Sequence, residues 1–182
     1  MAAGEAAGLY LRSSAPERRA PDVPAHDDTR CEVIVMSGLP GAGKDAWLAA
    51  HHPALPVVAL DDIRDQLELE PGEGGSAVVS AARQRARELL RGAEPFAWNA
   101  TNVSRHLRAS LVDFLTSYPA PVRLVYLEVA AAAQEQRNRA RERAVPAAAI
   151  DRMLARWAPP SPAEAHRVTH VVDDPGGASW PP

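Results

Sequence analysis

The sequence predicts an α/β fold, a parallel sheet with helices on both faces. Three observations carry this. Short β-branched runs alternate with helix-length segments through the chain, the pattern of consecutive crossover units. The first such run empties into a Gly-rich turn. Polar residues gather where the runs end, on the side where open α/β sheets bind ligands.

With 182 residues, the chain suits a single domain that needs no disulfides to hold its core. Its formal net charge of −3 sets up no global field that would draw it to nucleic acid, so any such binding must be local. Cys31, the single cysteine, excludes a disulfide framework and fits a reducing, cytoplasmic setting. No apolar run approaches the roughly 20 residues of a membrane span, and no basic start followed by an apolar stretch marks a secretory signal.

Residues 1–30, rich in Ala, Pro, Arg and Asp without periodicity, read as a disordered arm. His26-Asp27-Asp28 lies within it and reads as solvated. Glu32–Ser37 is the first strand, buried and β-branched. A helix follows from Gly43 to about Ala50, and Pro53 ends that segment. Pro56–Leu60 is a second strand with Asp61-Asp62 at its carboxyl end, and Ile63–Leu67 a short helix. Glu70–Gly75 is a loop and Ser76–Arg91 a long helix. Pro95–Asn99 is a third strand, Arg105–Tyr118 a helix and Val122–Val129 a fourth strand. Ala131–Arg143 reads as a helix with a basic end. Pro146 opens another at its first position, running to about Trp157. Val168–Val172 is a last short strand, and residues 173–182 read as a frayed tail.

The stretch GLPGAGKDAW, from Gly38 to Trp47, comes within one residue of the phosphate-binding loop GxxxxGK[ST]. Backbone N–H groups of Gly38, Leu39, Pro40-flanking Gly41, Ala42 and Gly43, with the helix start behind them, form an anion cradle. Lys44 can reach the β- and γ-phosphates of ATP. Asp45 stands where a hydroxyl normally helps to hold Mg²⁺. As a carboxylate it is either a ligand of that hard cation or a helix-cap group, with the metal held elsewhere. Ala46 brings no hydroxyl to the α-phosphate. With this loop placed, the predicted fold class is a P-loop NTPase or kinase-like parallel sheet with an Arg-bearing helical lid.

Phosphoryl transfer needs positioning, charge neutralisation and a carboxylate that takes the acceptor's proton. In Leu60-Asp61-Asp62-Ile63-Arg64, Asp61 is the candidate general base. Arg64, three residues on, can hold a phosphate of the acceptor with its planar fork. The bland alternative is a helix cap beside a surface arginine.

These pieces in order, GLPGAGKDAW, LDDIR, WNATN, QRNRAR and AVPAAAIDRM, resemble the P-loop polynucleotide 5′-hydroxyl kinases, especially the kinase module of bacterial RNA end-healing proteins. The resemblance runs from about residue 32 to 172 and implies a kinase domain over residues 31–172. It implies ATP and Mg²⁺ as cofactors and the 5′ end of RNA or DNA as partner. It places Thr101 and Asn102 near the acceptor and Asn138 and Arg141 in an ATP-binding lid. Phage-type members carry Ser in place of Asp45, whereas the bacterial branch is similar to this chain. An acid of the phage-type motif is replaced by Ala100. Arg137, Arg139, Arg141 and Arg143, if helical, would fan out by about 200° per pair, so one or two could aim into the cleft.

The resemblance also implies a phosphohydrolase fused to the kinase. The arm before residue 31 is too short for one, so 3′-end processing and ligation are expected from separate proteins. Arg83, Arg85, Arg87 and Arg91 read as solvated surface or as a nucleic-acid track. His51, His52, His106, His166 and His170 lack metal-ligand spacing. Trp47 is expected to pack the first helix on the sheet, and Trp98 to be core or a base-stacking platform. A kinase of a small molecule and a silent nucleotide-binding module remain the competing readings, since fold alone does not separate them.

Overall fold

The computed structural model describes residues 31–70, 73–141 and 143–172. The expected N-terminal arm, with its His-Asp-Asp triplet, and the expected C-terminal tail lie outside the described residues. Five strands form one parallel sheet: β1 (Val33–Ser37), β2 (Val57–Ala59), β3 (Phe96–Asn99), β4 (Val122–Glu128) and β5 (Arg167–Val172). Their order is β2-β3-β1-β4-β5. The chain leaves β1 toward one edge, and later crosses from β3 over β1 to β4. That reversal at β1 makes its carboxyl end the switch point where open sheets take ligands.

Among the described residues, seven α-helical or 3₁₀ segments connect the strands: α1 (Lys44–His51), α2 (Leu60–Gln66), α3 (Gly75–Gly92), α4 (Arg105–Thr116), α5 (Ala131–Arg139), α6 (Ala147–Leu154) and a 3₁₀ turn at Pro162–Glu164. The period of two in β1 divides the core. Val33 and Val35 face Ala82, Ala86, Leu89 and Leu90 of α3 and Leu111 and Leu115 of α4. Ile34 and Met36 face Trp47 and Leu48 of α1 on the other side. Helices cover both faces, as expected. Burying each large aliphatic or aromatic side chain here is worth about 1.5–3 kcal/mol. Trp98 lies in the first cluster at 3 % exposure, so it is core and not a stacking platform. Trp47 is buried and stacks on His51 with ring centroids 4.5 Å apart.

Arg83 and Arg87 lie over the Phe114 ring at 5.2 and 5.5 Å, which ties α3 to α4 by cation–π contact. Arg85 pairs with Glu88 on the surface. Two of the four arginines of this helix are therefore committed to interhelical packing.

Several boundaries differ from expectation, among them the end of α6 at Leu154, three residues before Trp157. β2 stops at Ala59 and α2 begins at Leu60 without a loop, so Asp61 and Asp62 sit in a helix's first turn and not on a strand end. There they meet the positive end of the helix dipole. Pro146 is the N-cap of α6, not its first helical residue. The lid helix α5 ends at Arg139, four residues early. The reason is Asn138, whose amide brackets Val145: its Nδ2 donates to Val145 O at 2.9 Å and its Oδ1 accepts from Val145 N at 3.1 Å. A helix continuing to Arg143 would carry Val145 away from that bracket. Among the described residues, no helix is long and apolar enough to cross a membrane.

Candidate active site

The turn after β1 curls through left-handed backbone, with φ of +87° at Gly41 and +90° at Gly43. Its start is tied to the end of β3, since Gly38 N donates to Thr101 O at 2.8 Å. Its tip is held by α5, where Gln134 Nε2 donates to Pro40 O. A Cβ at Gly41 would lie 2.5 Å from Gln134 O and 3.1 Å from Asn138 N, both backbone atoms of α5. Gly41→Ala is therefore expected to lift the lid helix off the loop and weaken MgADP binding at least tenfold while β1 and the core stay folded. Calorimetric titration beside a melting curve checks this, and unchanged affinity would contradict it.

Lys44 opens α1, and its Nζ donates to Gly38 O and Leu39 O, each at 3.0 Å. Both acceptors belong to the loop, so the ammonium is held over the cradle. Burial pushes its pKa down, Asp45 and Asp61 pull it up and Arg141 pushes it down, leaving it at about 8. Asp45, in the first turn of α1, accepts a hydrogen bond from Asn99 Nδ2 at the end of β3. Asn99 Oδ1 is buried and lacks a hydrogen-bond partner. Asp62 has its pKa raised by burial and by the negative charges of Asp45, Asp61 and Asp65. An electropositive ligand at this spot would relieve both the orphaned oxygen and the crowded carboxylates.

Asp61 is the meeting point of the site. Its Oδ1 pairs with Arg64 at 2.9 Å, one helical turn on, and its Oδ2 with Arg141 at 3.3 Å, eighty residues away in sequence. Arg143 pairs with Asp65 on the same helix. The early end of α5 makes this possible: Arg141 and Arg143 lie on the loop after the helix and both reach back to α2. A cleft of about 460 Å³ begins one turn from Asp61, lined by Asp65, Glu68, Leu69, Glu70 and Arg143.

The structure thus brings together Gly38–Lys44, Asp45, Asp61, Arg64 and Arg141. Ala46 is exposed on α1 beside them. It gives three other expected site residues a different place. Asn138 is buried and its amide is spent on Val145. Asn102 is buried with φ +44° and its Nδ2 donates to Met36 O at 2.8 Å. Thr101 supports the loop through its backbone carbonyl.

Sequence reasoning passed over Gln134 and Arg108, and it did not single out the parts played by Asn99 and Arg137. Asn99 is the partner of Asp45, and only the fold brings the two together. Gln134 grips Pro40. Arg137 comes near the loop, with a guanidinium nitrogen 3.6 Å from where a Cβ of Gly43 would stand; it was one of four similar arginines in the run. Arg108 is fully buried, which nothing in its local sequence signals.

The sequence profile of the AAA domain family matches residues 33–160. The chain belongs to the AAA domain family. No curated protein matches it. Solved structures place this AAA domain in the P-loop kinase fold. A chain of the Pnkp1/Rnl/Hen1 RNA repair complex is similar at 18% identity and a TM-score of 0.64, covering 76% of this chain and 46% of that one. A sugar kinase from Janibacter sp. is similar at 17% identity and a TM-score of 0.56, covering 78% and 85%. Kti12 of Chaetomium thermophilum, solved with ADP-AlF3, is similar at 15% identity and a TM-score of 0.56, covering 79% and 92%. At these identities the likeness is one of fold.

Proposed function

We propose that this protein transfers the γ-phosphoryl group of ATP to an alcohol, and that the alcohol is the 5′-hydroxyl of a nucleic-acid end. The observation that carries the reading is the convergence of Arg64 and Arg141 on Asp61 beside the phosphate loop. One carboxylate and two guanidinium groups from separate elements is the equipment that transfer to a hydroxyl requires. The loop N–H groups and Lys44 bind the β- and γ-phosphates. Arg141 leaves Asp61 for the transferring phosphoryl group and offsets its charge. Arg64 leaves for a phosphate of the acceptor. Asp61, freed of both, accepts the proton of the attacking hydroxyl. The order of GLPGAGKDAW, LDDIR and WNATN supports a 5′-hydroxyl acceptor, as does one arginine set a helical turn from the base.

A divalent cation fits the residues present. Asp45 and the orphaned Oδ1 of Asn99 are hard oxygen donors, and Asp62 adds the raised carboxyl that a cation would lower. Asp45, Asn99 and Asp62 would hold Mg²⁺, which neutralises charge on the phosphates when bound.

A small polyhydroxylated acceptor is the second reading, favoured by the cleft beyond Asp61. Asp65, Glu68 and Glu70 line it with Arg143, which is paired to Asp65, and the remaining excess of carboxylates disfavours a phosphodiester backbone. The deciding experiment is transfer of labelled γ-phosphate from MgATP to 5′-hydroxyl RNA and DNA oligonucleotides and, in parallel, to sugars and amino sugars. Transfer to oligonucleotides alone supports the first reading and transfer to small alcohols alone replaces it. No transfer to any acceptor ends both.

Two further outcomes are expected. Arg141→Ala lowers kcat by about 10³-fold, the lower end of what an arginine at the transferring phosphate supplies, with the acceptor KM little changed. Equal loss in both parameters would place Arg141 elsewhere. Nucleotide affinity falls as pH rises past about 8, where free Lys44 loses its proton. Phosphate binding favours the ammonium form, so binding takes up a proton and the affinity drops by at most tenfold per pH unit. An affinity flat from pH 7 to 9.5 would contradict a phosphate contact by Lys44.

A further inference from the structure

We propose that Arg108, with Glu164, is a positioning residue that sets the phosphate loop by holding the backbone of residues 101–103. The inference deepens the phosphate-loop reading above and rests on it.

Arg108 is fully buried on α4. Its guanidinium engages Glu164 twice, Nε to Oε2 at 2.7 Å and NH2 to Oε1 at 3.2 Å. Glu164 is itself fixed, because its Oε1 accepts from Ser161 N at 2.9 Å in a capping box. The remaining nitrogen of Arg108, NH1, donates to the carbonyls of Asn102 at 3.2 Å and Val103 at 3.0 Å. Every nitrogen of the buried guanidinium is therefore in use.

The gripped segment is the one that holds the start of the loop. Met36, Ser37 and Gly38 each share one hydrogen bond with it. Met36 O accepts from Asn102 Nδ2 at 2.8 Å. Ser37 Oγ donates to Asn102 O at 3.0 Å. Gly38 N donates to Thr101 O at 2.8 Å. Asn102 must hold a left-handed φ of +44° for its carbonyl and its amide to serve at once. Asparagine tolerates that conformation better than other residues with a Cβ, but it still costs energy that the surroundings must offset. The two carbonyls held by Arg108 supply that offset from one side, and Ala158 N, donating to Val103 O at 3.0 Å, adds to it. From Gly38 the path is short to the nucleotide, since Gly38 O accepts from Lys44 Nζ.

A merely structural pair would be replaceable. Apolar side chains of similar volume often stabilise a core as well as a buried ion pair does. What they lack is a donor for the carbonyls of Asn102 and Val103. Asp61 and Arg64, on α2, share no hydrogen bond with this hub, so the acceptor side should not feel its loss.

The test is the double variant Arg108→Met/Glu164→Leu, which removes both charges. Positioning predicts a melting temperature close to wild type, MgADP affinity reduced about tenfold and kcat reduced about 10- to 100-fold, with acceptor KM unchanged. Wild-type MgADP affinity in a variant of matched stability overturns the proposal. Should that variant fail to fold, Arg108→Lys keeps the charge but presents a single donor group. Amide exchange then decides: faster exchange at Gly38 with Val35 unchanged supports positioning. Equal change at both, or none at Gly38, overturns it. Affinity and exchange need neither acceptor nor turnover, so a protein without transfer activity would still test the inference.

Discussion

Asp61→Asn is expected to lower the rate of phosphoryl transfer by about 10²- to 10⁴-fold, the contribution of a general base in proton transfer, while MgADP binding is kept. The substitution preserves the size of the side chain and removes its ability to take the acceptor's proton. It also removes the negative charge that holds Arg64 at 2.9 Å and Arg141 at 3.3 Å. In the structure both arginines are engaged with Asp61, and on the proposed mechanism ATP competes for Arg141. With the carboxylate gone that competition ends, so nucleotide affinity should stay equal or tighten. Steady-state kinetics with labelled ATP, paired with calorimetric titration of MgADP and of a non-hydrolysable ATP analogue that keeps the γ-phosphate, gives both readouts. Wild-type turnover in Asp61→Asn would remove Asp61 from the mechanism. A collapse of nucleotide binding would show that its ion pairs serve the site's structure.

Arg108→Met alone is expected to destabilise the fold by about 3–5 kcal/mol, the cost of leaving a buried carboxylate without its partner. For a domain of this size that is a fall in Tm on the order of 10 °C. The effect carries a pH signature. Burial pushes the Glu164 carboxyl up, but hydrogen bonds from Arg108 and Ser161 N, with the charges of Arg108 and Arg105, outweigh it and hold the pKa below the ordinary value. An acid with a depressed folded pKa contributes stability above its unfolded pKa and loses it as pH falls through the folded one. In Arg108→Met the depressing partner is gone and burial remains, so protonation of Glu164 relieves the defect. The gap in Tm between wild type and variant should therefore be widest near pH 7 and narrow toward pH 4. A gap independent of pH would mean that lost packing, and not the stranded carboxylate, causes the instability. The contrast with Arg108→Met/Glu164→Leu separates the two roles: the single variant reads stability and the double variant reads position.

What could be read from the chain and what could not divides along the range of the interactions involved. The phosphate loop was legible because its requirements are local: glycines where φ is positive, a lysine at the helix start, a buried strand before it. Asp61 and Arg64 were legible as a pair because three residues on a helix is one turn, and the helix they share was misplaced by only a few residues. Trp47 and the core face of β1 followed from period and hydrophobicity. Asn102 and Asn138 were read as ligand contacts from their motif positions; the fold also gives each amide a partner inside the protein, Met36 O for Asn102 and Val145 for Asn138. An asparagine presents the same two donors and one acceptor group to a ligand or to a distant strand, and only the fold decides which comes within reach.

Sequence by itself determined the order of elements, the two faces of the sheet, the phosphate loop at the carboxyl end of its first strand and the acid-arginine turn beyond the second. These follow from backbone propensity and from the spacing of neighbours along the chain. Tertiary structure alone decided that α5 stops at Arg139, that Arg141 crosses to Asp61, that Asn99 meets Asp45 and that Arg108 is a core residue. Each depends on parts of the chain tens of residues apart being packed to within hydrogen-bond distance. Side-chain type says which bonds a residue can make, and the geometry of the folded chain selects among them.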